Sequence, residues 1–182
     1  MFVPAFILDD AFTKYKDRYD VVLLDAPPTR NLMHNAVVAM ADHILIPSQL
    51  ARFSADGAAK LLNTISSVSN LPGMHPPNLM GVLPVEYEGR HRESRLVAAE
   101  IIANTLGGNA ALFLPPIPMT VDFKTAQASG VTVYEYKPLS TGIIGFESES
   151  KGMNIHKLTG GYDHIGEIVH FVIKEHQHAK RS

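Results

Sequence analysis

The segment from Tyr19 to Pro28 constrains the fold of this chain more than any other part of it. It contains an unbroken apolar run, Val21–Leu24, which ends at Asp25 and is followed directly by two prolines. Such a run is typical of a strand buried on both faces of a parallel sheet, and the prolines end both strand and helix. Open α/β sheets bind ligands at the carboxyl ends of their strands, where an aspartate can hold a magnesium ion through water. The alternative is a charged strand cap before a turn.

Short apolar runs alternate with amphipathic segments along most of the chain. Helices are predicted at 9–16, 31–41, 54–68, 93–106 and 162–178, and strands at 21–24, 43–47, 79–83 and 112–114. In the helix at 31–41, Leu32, Val38 and Ala39 are expected to face a sheet. Alternation of this kind with short connections indicates an α/β fold, with a mostly parallel sheet and helices on both faces.

The 182 residues are expected to form a single domain, 1–182. Residues 140–161 mix glycine, serine and charge with little periodicity, so this segment is interpreted as a loop insertion. In the closing helix, Ile165, Ile168, Val169 and Val172 have the spacing of one helical face. This spacing favours packing on the sheet over binding to a membrane surface.

The composition excludes several classes of function. Lys plus Arg total 16 and Asp plus Glu total 18, so overall charge indicates neither a nucleic-acid nor a membrane partner. The absence of cysteine excludes disulfides, thiolate metal sites and a thiol nucleophile, and it suits a reducing cytoplasm. The nine histidines form no set with metal-ligand spacing, and no segment approaches the ~20 apolar residues of a membrane span.

A compact basic cluster lies at a predicted helix start and comprises Arg90, His91, Arg92 and Arg95. The helix dipole does not favour arginine at this position, which supports a phosphate-contacting role. DNA binding of this kind would depend strongly on salt. The alternative is a solvated helix start.

The order of these motifs resembles the ParA-type partition ATPases, relatives of MinD within the deviant P-loop class. Residues 19–28 are similar to the family's Walker B strand and switch segment. The stretch that follows is similar at Asn35-Ala36, Ala41-Asp42 and 44–47 with Gln49. Further similarities lie at Gly57 and 61–65, at 81–83 with Arg90 and Ser94, and at 117–118, Ala126, Gly130 and Val133. The resemblance covers about residues 15–138.

The resemblance implies a P-loop NTPase architecture of the ParA/MinD type and an ATPase that acts in plasmid or chromosome partitioning. It further implies a nucleotide-dependent dimer, nonspecific DNA and a ParB-like centromere-binding protein as partners, and a cytoplasmic, nucleoid-associated location without stable membrane insertion. ATP and Mg²⁺ are the implied cofactors, with Asp25 as the catalytic residue that holds magnesium through water. The implied nucleotide-contacting residues are Pro27, Pro28, Pro118, Met119 and Thr120, and the implied DNA-contacting residues are Arg90, Arg92, Arg95 and Lys124.

The family's phosphate loop (Walker A) is absent from this sequence, because no Gly-x-x-x-x-Gly-Lys-[Ser/Thr] occurs. Phosphate binding needs backbone N–H donors and cations, so ATP binding by this chain alone is expected to be very weak or absent. The family's first strand lies between the Walker B strand and the 43–47 strand. We therefore expect an architecture that lacks this strand, and an incomplete piece of a larger protein is the favoured interpretation. A non-catalytic DNA- or partner-binding module and a MinD-like membrane-cycling ATPase remain as alternatives.

Overall fold

The computed structural model describes residues 10–13, 15, 18–26, 32–51, 54–70, 76–88, 92–145 and 160–179. Its elements are, in chain order, α1 (Leu32–Met40), β1 (His43–Gln49), α2 (Ser54–Ser69), β2 (Asn78–Val85), α3 (Arg92–Glu100), α4 (Val121–Ala128), α5 (Val133–Tyr136), α6 (Thr141–Ile144) and α7 (Tyr162–Ala179). A π-helical turn, Ile101–Thr105, extends α3, and a 3-10 turn follows at Ala110–Leu112. Residues 10–13 form a helical turn.

The strands β1 and β2 pair in parallel and are connected through α2. The register shifts between Ile44 and Leu45, so that Leu45 lies opposite Gly81 and Ile46 opposite Val82. A parallel pair joined by a helix is the βαβ arrangement that the alternating pattern predicts. The predicted α/β class is therefore confirmed.

Three apolar clusters cover the two faces of this pair. Two of these clusters lie on the same face, and Ile44 packs against both. The first consists of Ile46, Leu50, Val82, Val97, Ile101 and Leu106, and the second of Ala36, Val38, Ala39 and Val68. Leu83, Leu114, Ile117 and Ile165 form the third cluster, and Leu45 packs against it. Because Ile44 and Leu45 point to opposite faces of the strand, helices α1, α2 and α3 cover one face and α7 covers the other.

The last helix packs as its spacing predicts. Ile165 is buried, and Ile168 and Val169 pack against the same cluster. Within the described ranges, no helix has both the length and the apolar character needed to cross a membrane.

The predicted strand at 21–24 is not formed, and this prediction was wrong. Residues 21–26 have no strand pairing, and the exposed fractions of Val21, Val22 and Leu23 are 42%, 47% and 86%. A strand is stable only beside a hydrogen-bonded neighbour. The described part of the chain provides no such neighbour for this segment.

Three smaller predictions also need correction. Leu32 is 67% exposed at the start of α1 and does not face the sheet, whereas Val38 and Ala39 are buried. The predicted strand at 112–114 is reduced to one bridge between Phe113 and Val82, because a 3-10 turn occupies the preceding residues. Part of the predicted loop at 140–161 is helical, since Ser140 caps α6, and 146–159 lie outside the described residues.

Candidate ligand site at the carboxyl edge of the sheet

Three chain segments meet where β1 and β2 end. β1 leads into Leu50, and β2 leads into Tyr87, which bridges to Pro118. The Tyr87 N–H donates to the carbonyl oxygen of Ile117 at 3.0 Å, and the Met119 N–H donates to that of Tyr87 at 3.1 Å. These two hydrogen bonds fix the third segment, residues 117–119, beside the strand ends. In open α/β sheets this edge is where ligands bind.

The two strand ends are joined by a side-chain hydrogen bond. Nε2 of Gln49 donates to Oε2 of Glu86 at 2.6 Å. Glu86 has a φ of 51°, and among the described residues it is the one non-glycine residue with positive φ. Such a conformation costs about 1–2 kcal/mol outside glycine. Residues held in it cluster at functional sites, so the strained Glu86 marks this edge as a candidate site.

A shallow, open pocket lies at the same edge. Its lining includes an amide, two carboxylates, a phenol ring and a hydroxyl, contributed by the ends of β1 and β2 and by α3; the residues are Gln49, Leu50, Ala51, Glu86, Tyr87, Glu88 and Ser94. Carboxylates repel phosphate and accept hydrogen bonds from N–H groups. The pocket therefore offers acceptors to the N–H donors of a ligand and is unfavourable for a phosphate chain.

The segment after the pocket is fixed by a buried carboxylate. The Thr120 hydroxyl oxygen caps α4 by accepting from the Asp122 N–H at 3.2 Å. The Asp122 carboxylate in turn accepts from the Ser140 hydroxyl at 2.7 Å and pairs with the Lys137 ammonium at 3.1 Å. The Ser140 hydroxyl, and after it Lys137, hold the pKa of Asp122 below its usual range, although burial acts in the opposite direction. This network ties the start of α4 to the start of α6.

The structure brings three of the five predicted nucleotide-contacting residues together. Pro118 is buried at the sheet edge, Met119 is 47% exposed and Thr120 is the cap of α4, so these three lie together beside the pocket. Asp25 is exposed on the unpaired segment 21–26 and does not end a strand, and Pro27 and Pro28 lie outside the described residues. The roles of all these residues stay predictions.

The predicted DNA-contacting residues lie on two helices. Arg92 and Arg95 are exposed on α3, and their spacing of three residues puts them on one face. Lys124 is exposed on α4. Arg90 lies outside the described residues. Contact of these side chains with DNA stays a prediction.

The described residues provide no set of three acidic or histidine side chains for a magnesium ion, and Asp25, the predicted magnesium holder, does not lie at a strand end. The phosphate loop is also missing from the sequence. We therefore derive no catalytic step through magnesium.

Sequence reasoning missed the residues that line the pocket. Glu86, Tyr87 and Glu88 were not identified, and Gln49 and Ser94 entered only through the resemblance. The available signal was their position, because polar residues that directly follow a buried parallel strand point to the ligand edge. The bond between Gln49 and Glu86 spans 37 residues of sequence, so the pattern could not pair them.

Comparison with known proteins places this arrangement in a class. An AAA domain family model matches residues 3–74. Soj, a chromosome-partitioning ATPase of Thermus thermophilus, is 32% identical over 125 residues, which is 68% of this chain and 48% of Soj. ParA of Myxococcus xanthus, a chromosome-partitioning protein, is 31% identical over 97 residues, which is 53% of this chain and 34% of ParA. An ATP complex of a McdA variant from Cyanothece superposes with a TM-score of 0.63 and 22% identity, over 75% of this chain and 53% of McdA.

The fold is α/β, with a parallel pair of strands between helices, and it superposes on the McdA structures. The order of motifs, together with the similarity to Soj and ParA, relates this chain to the ParA-type partition ATPases. It spans about half the length of the curated relatives it matches, 48% for Soj of Thermus thermophilus and 54% for Soj of Treponema pallidum.

Proposed function

We propose that this chain acts in plasmid or chromosome partitioning as part of a ParA-like ATPase. In this proposal it forms a nucleotide-dependent dimer, binds DNA nonspecifically on the nucleoid in the cytoplasm, and works with a ParB-like partner. The observation that carries the proposal is the similarity to Soj, combined with a parallel pair whose carboxyl edge gathers Gln49, Glu86 and Pro118.

The pocket beside Pro118, Met119 and Thr120 is proposed to receive the base of a nucleotide. Its amide and carboxylates offer acceptors to N–H groups, and Tyr87 offers a ring for stacking. The phosphates would need donors and cations that this sequence does not provide in a phosphate loop. We therefore expect ATP to bind the isolated chain very weakly or not at all.

Thermal unfolding with Mg²⁺ and up to millimolar ATP tests this expectation. A ligand present at 100 times its Kd stabilises the folded state by about 2.7 kcal/mol, which would raise the Tm of a chain of this size by several degrees. We expect no such rise. A rise that ATP causes and adenosine alone does not would show a phosphate site in this chain and would contradict the expectation.

DNA binding is proposed for the exposed arginines of α3. Arg92 and Arg95 lie on one face and are free to approach a phosphate backbone. The double variant Arg92→Glu/Arg95→Glu should lose retention of random-sequence duplex DNA at low salt, and the parent should lose it steeply as salt rises.

Lys60→Glu provides the matched control, because Lys60 is an exposed cation in the middle of α2. Lys60→Glu changes the net charge by half as much as the double variant does. The single variant Arg95→Glu is therefore included, because its charge change equals that of the control. Retention that falls equally in Lys60→Glu and Arg95→Glu would mean that overall charge decides binding. Unchanged retention in the double variant would remove α3 from the proposed DNA surface.

A second candidate function is a non-catalytic DNA- or partner-binding module, and the position of Asp25 favours it. This carboxylate is exposed on a segment outside the sheet and is not at the end of a buried strand. If the isolated chain hydrolyses ATP faster than its Asp25→Asn variant does, the ATPase function is favoured. DNA retention without turnover would favour the binding module.

The MinD-like alternative is the least favoured. It needs α7 to leave the sheet for a lipid surface, yet Ile165 is buried in the same cluster as Leu83 and Leu114. Flotation with vesicles of anionic phospholipid should recover none of the chain. Recovery that Ile168→Lys abolishes would revive this alternative.

A further inference from the structure

The helix α7 is attached to the sheet at both of its ends. The Gly161 N–H, just before α7, donates to the carbonyl oxygen of Pro116 at 3.0 Å, near the carboxyl edge of the strands. His176, in the last turns of the helix, contacts Asp42 and His43 at the start of β1. The helix therefore runs across the whole covered face, and its end lies at the amino edge of the sheet.

The start and the middle of α7 are held by contacts that do not involve histidine. The Tyr134 hydroxyl donates to Oδ1 of Asp163 at 3.1 Å, and the rings of Phe123 and Tyr162 meet edge to face with their centroids 5.4 Å apart. The apolar side chains of 165–169 pack on the sheet. Beyond residue 169, the described part of α7 contributes nothing to the three apolar clusters. The end of the helix is therefore the part that should open most easily.

The contact at the end of α7 brings two imidazole rings and a carboxylate together. The ring centroids of His43 and His176 are 5.0 Å apart, with the ring planes at 76°. Nε2 of His176 lies 3.5 Å from Oδ1 of Asp42. This nitrogen and both ring nitrogens of His43 are shielded from solvent. The backbone carbonyl of Asp42 accepts from the Asn78 N–H at 2.9 Å, so the sheet fixes the residues that receive the helix.

The charge on this contact depends on protons that histidine exchanges between about pH 5 and 8. A single proton on His176 creates an ion pair with Asp42, and the cation also lies near the C-terminus of α7, where the helix dipole favours it. A second proton on His43 would place two cations next to each other, which is unfavourable. Within the described ranges, Asp42 and His43 are the titratable groups that contact His176. The charged neighbours on α7 itself, Lys174 and Glu175, are exposed.

We propose that Asp42, His43 and His176 form a proton-operated latch between the end of α7 and the amino edge of the sheet. The latch holds most firmly with one proton on the two rings, and it is weaker when the rings are both neutral or both charged. Because the Asp42 side chain is 62% exposed, solvent screens the attraction and the effect is modest. The cover that the last helix gives to the sheet thus depends on pH, whether or not the chain binds a nucleotide or DNA.

Hydrogen exchange of the full chain at several pH values, corrected for the intrinsic pH dependence of exchange, tests the latch. We expect the protection of amides 172–179 to rise about two- to fivefold from about pH 8 to about pH 6, and to fall again toward about pH 5. Amides 163–169 should not follow this profile, because other contacts hold that part of the helix. An equal change along the whole helix, or no change at its end, would overturn the proposal.

Four variants assign the profile to individual groups. Asp42→Asn and His176→Gln should each abolish the rise between about pH 8 and 6, because each removes one member of the ion pair. His43→Phe keeps a ring but cannot take the second proton, so the rise should remain and the fall toward about pH 5 should disappear. His170→Gln is the matched control, since His170 is exposed on the same helix, and it should behave as the parent.

The two ion-pair variants are independent, so if one fails to fold the other decides. A parent-like rise in a folded Asp42→Asn or His176→Gln protein, or loss of the rise in His170→Gln, would overturn the proposal.

NMR titration of the imidazole Cε1–H resonances gives a second readout that a purely structural contact would not produce. Interacting groups lose their protons in two coupled steps. In the parent, the resonances of His43 and His176 should each report both steps. In His43→Phe, the His176 resonance should titrate in one step. Two independent single-step curves in the parent would contradict the coupling on which the latch depends.

Discussion

Replacing Gly81 with alanine tests how β2 packs against the segment that follows α3. Gly81 directly follows the register shift in β2, and its φ of 143° is rare for residues with a side chain. A Cβ added there would lie 2.4 Å from the carbonyl oxygen of Leu112 and 3.0 Å from Cγ of Leu114. Because the closer atom belongs to the backbone, no side-chain rotation can relieve the contact.

The expected cost has two parts. The unfavourable backbone conformation costs about 1–2 kcal/mol, and overpacking against a fixed neighbour costs about 1–3 kcal/mol. We therefore expect Gly81→Ala to lower the free energy of unfolding by about 2–5 kcal/mol. In a chain of this size that corresponds to a drop in Tm of roughly 10 °C.

Two control glycines separate these contributions. Gly130 has a φ of 69° but nothing within 4 Å of an added Cβ, so Gly130→Ala should cost about 1 kcal/mol from conformation alone. Gly57 lies within α2, also with nothing within 4 Å, so Gly57→Ala should stabilise by about 0.5–1 kcal/mol.

Urea denaturation followed by circular dichroism gives the free energy of unfolding for all three variants. The order Gly57→Ala, parent, Gly130→Ala, Gly81→Ala from most to least stable is expected. If Gly81→Ala costs no more than Gly130→Ala, the close approach of Leu112 does not exist in solution, and the described packing at this position is wrong.

Four further substitutions test the core and the network beside the ligand edge. Ile101→Ala should lower the free energy of unfolding by about 2–5 kcal/mol, because Ile101 is fully buried. Leu96→Ala is the control: Leu96 is 59% exposed, so the change should be at most about 0.5 kcal/mol. Urea denaturation measures both. Ser140→Ala should cost about 1–2 kcal/mol in the same assay, because the fully buried Ser140 hydroxyl donates to Asp122. The pKa of Asp122 is lower in the folded state than its usual 3.8, so the stability it contributes is present above pH 3.8 and is lost as the pH falls through the folded pKa. Asp122→Asn should therefore lose less stability than the parent between pH 4 and pH 2, and equal acid sensitivity of the two proteins would contradict this.

The elements that sequence reasoning predicted well are those whose signal is local. The apolar spacing of α2, with Ala58 and Val68 on its buried face, is a property of one segment, and the helix forms as predicted. The runs at 43–47 and 79–83 became β1 and β2 because each is the neighbour of the other. Local pattern was sufficient where the required partner lay within the described chain.

The run at 21–24 shows the limit of the same reasoning. Its composition is as strand-like as that of β1, but composition says nothing about the presence of a neighbour. The candidate site has the same limit. Gln49 and Glu86 are 37 residues apart, and only the parallel register brings their side chains to 2.6 Å. The left-handed backbone at Glu86 carries no sequence signal, because glutamate rarely adopts it.

The charge at the ligand edge has a consequence for ATP turnover. Glu86 and Glu88 line the pocket, so this edge raises the electrostatic cost of bringing a triphosphate close. No phosphate loop in this sequence supplies the cations and N–H donors that would overcome this cost. If residues outside this sequence supply them, ATP turnover by this chain alone should be undetectable. Turnover that is proportional to this chain alone would show that the chain supplies its own phosphate-binding groups.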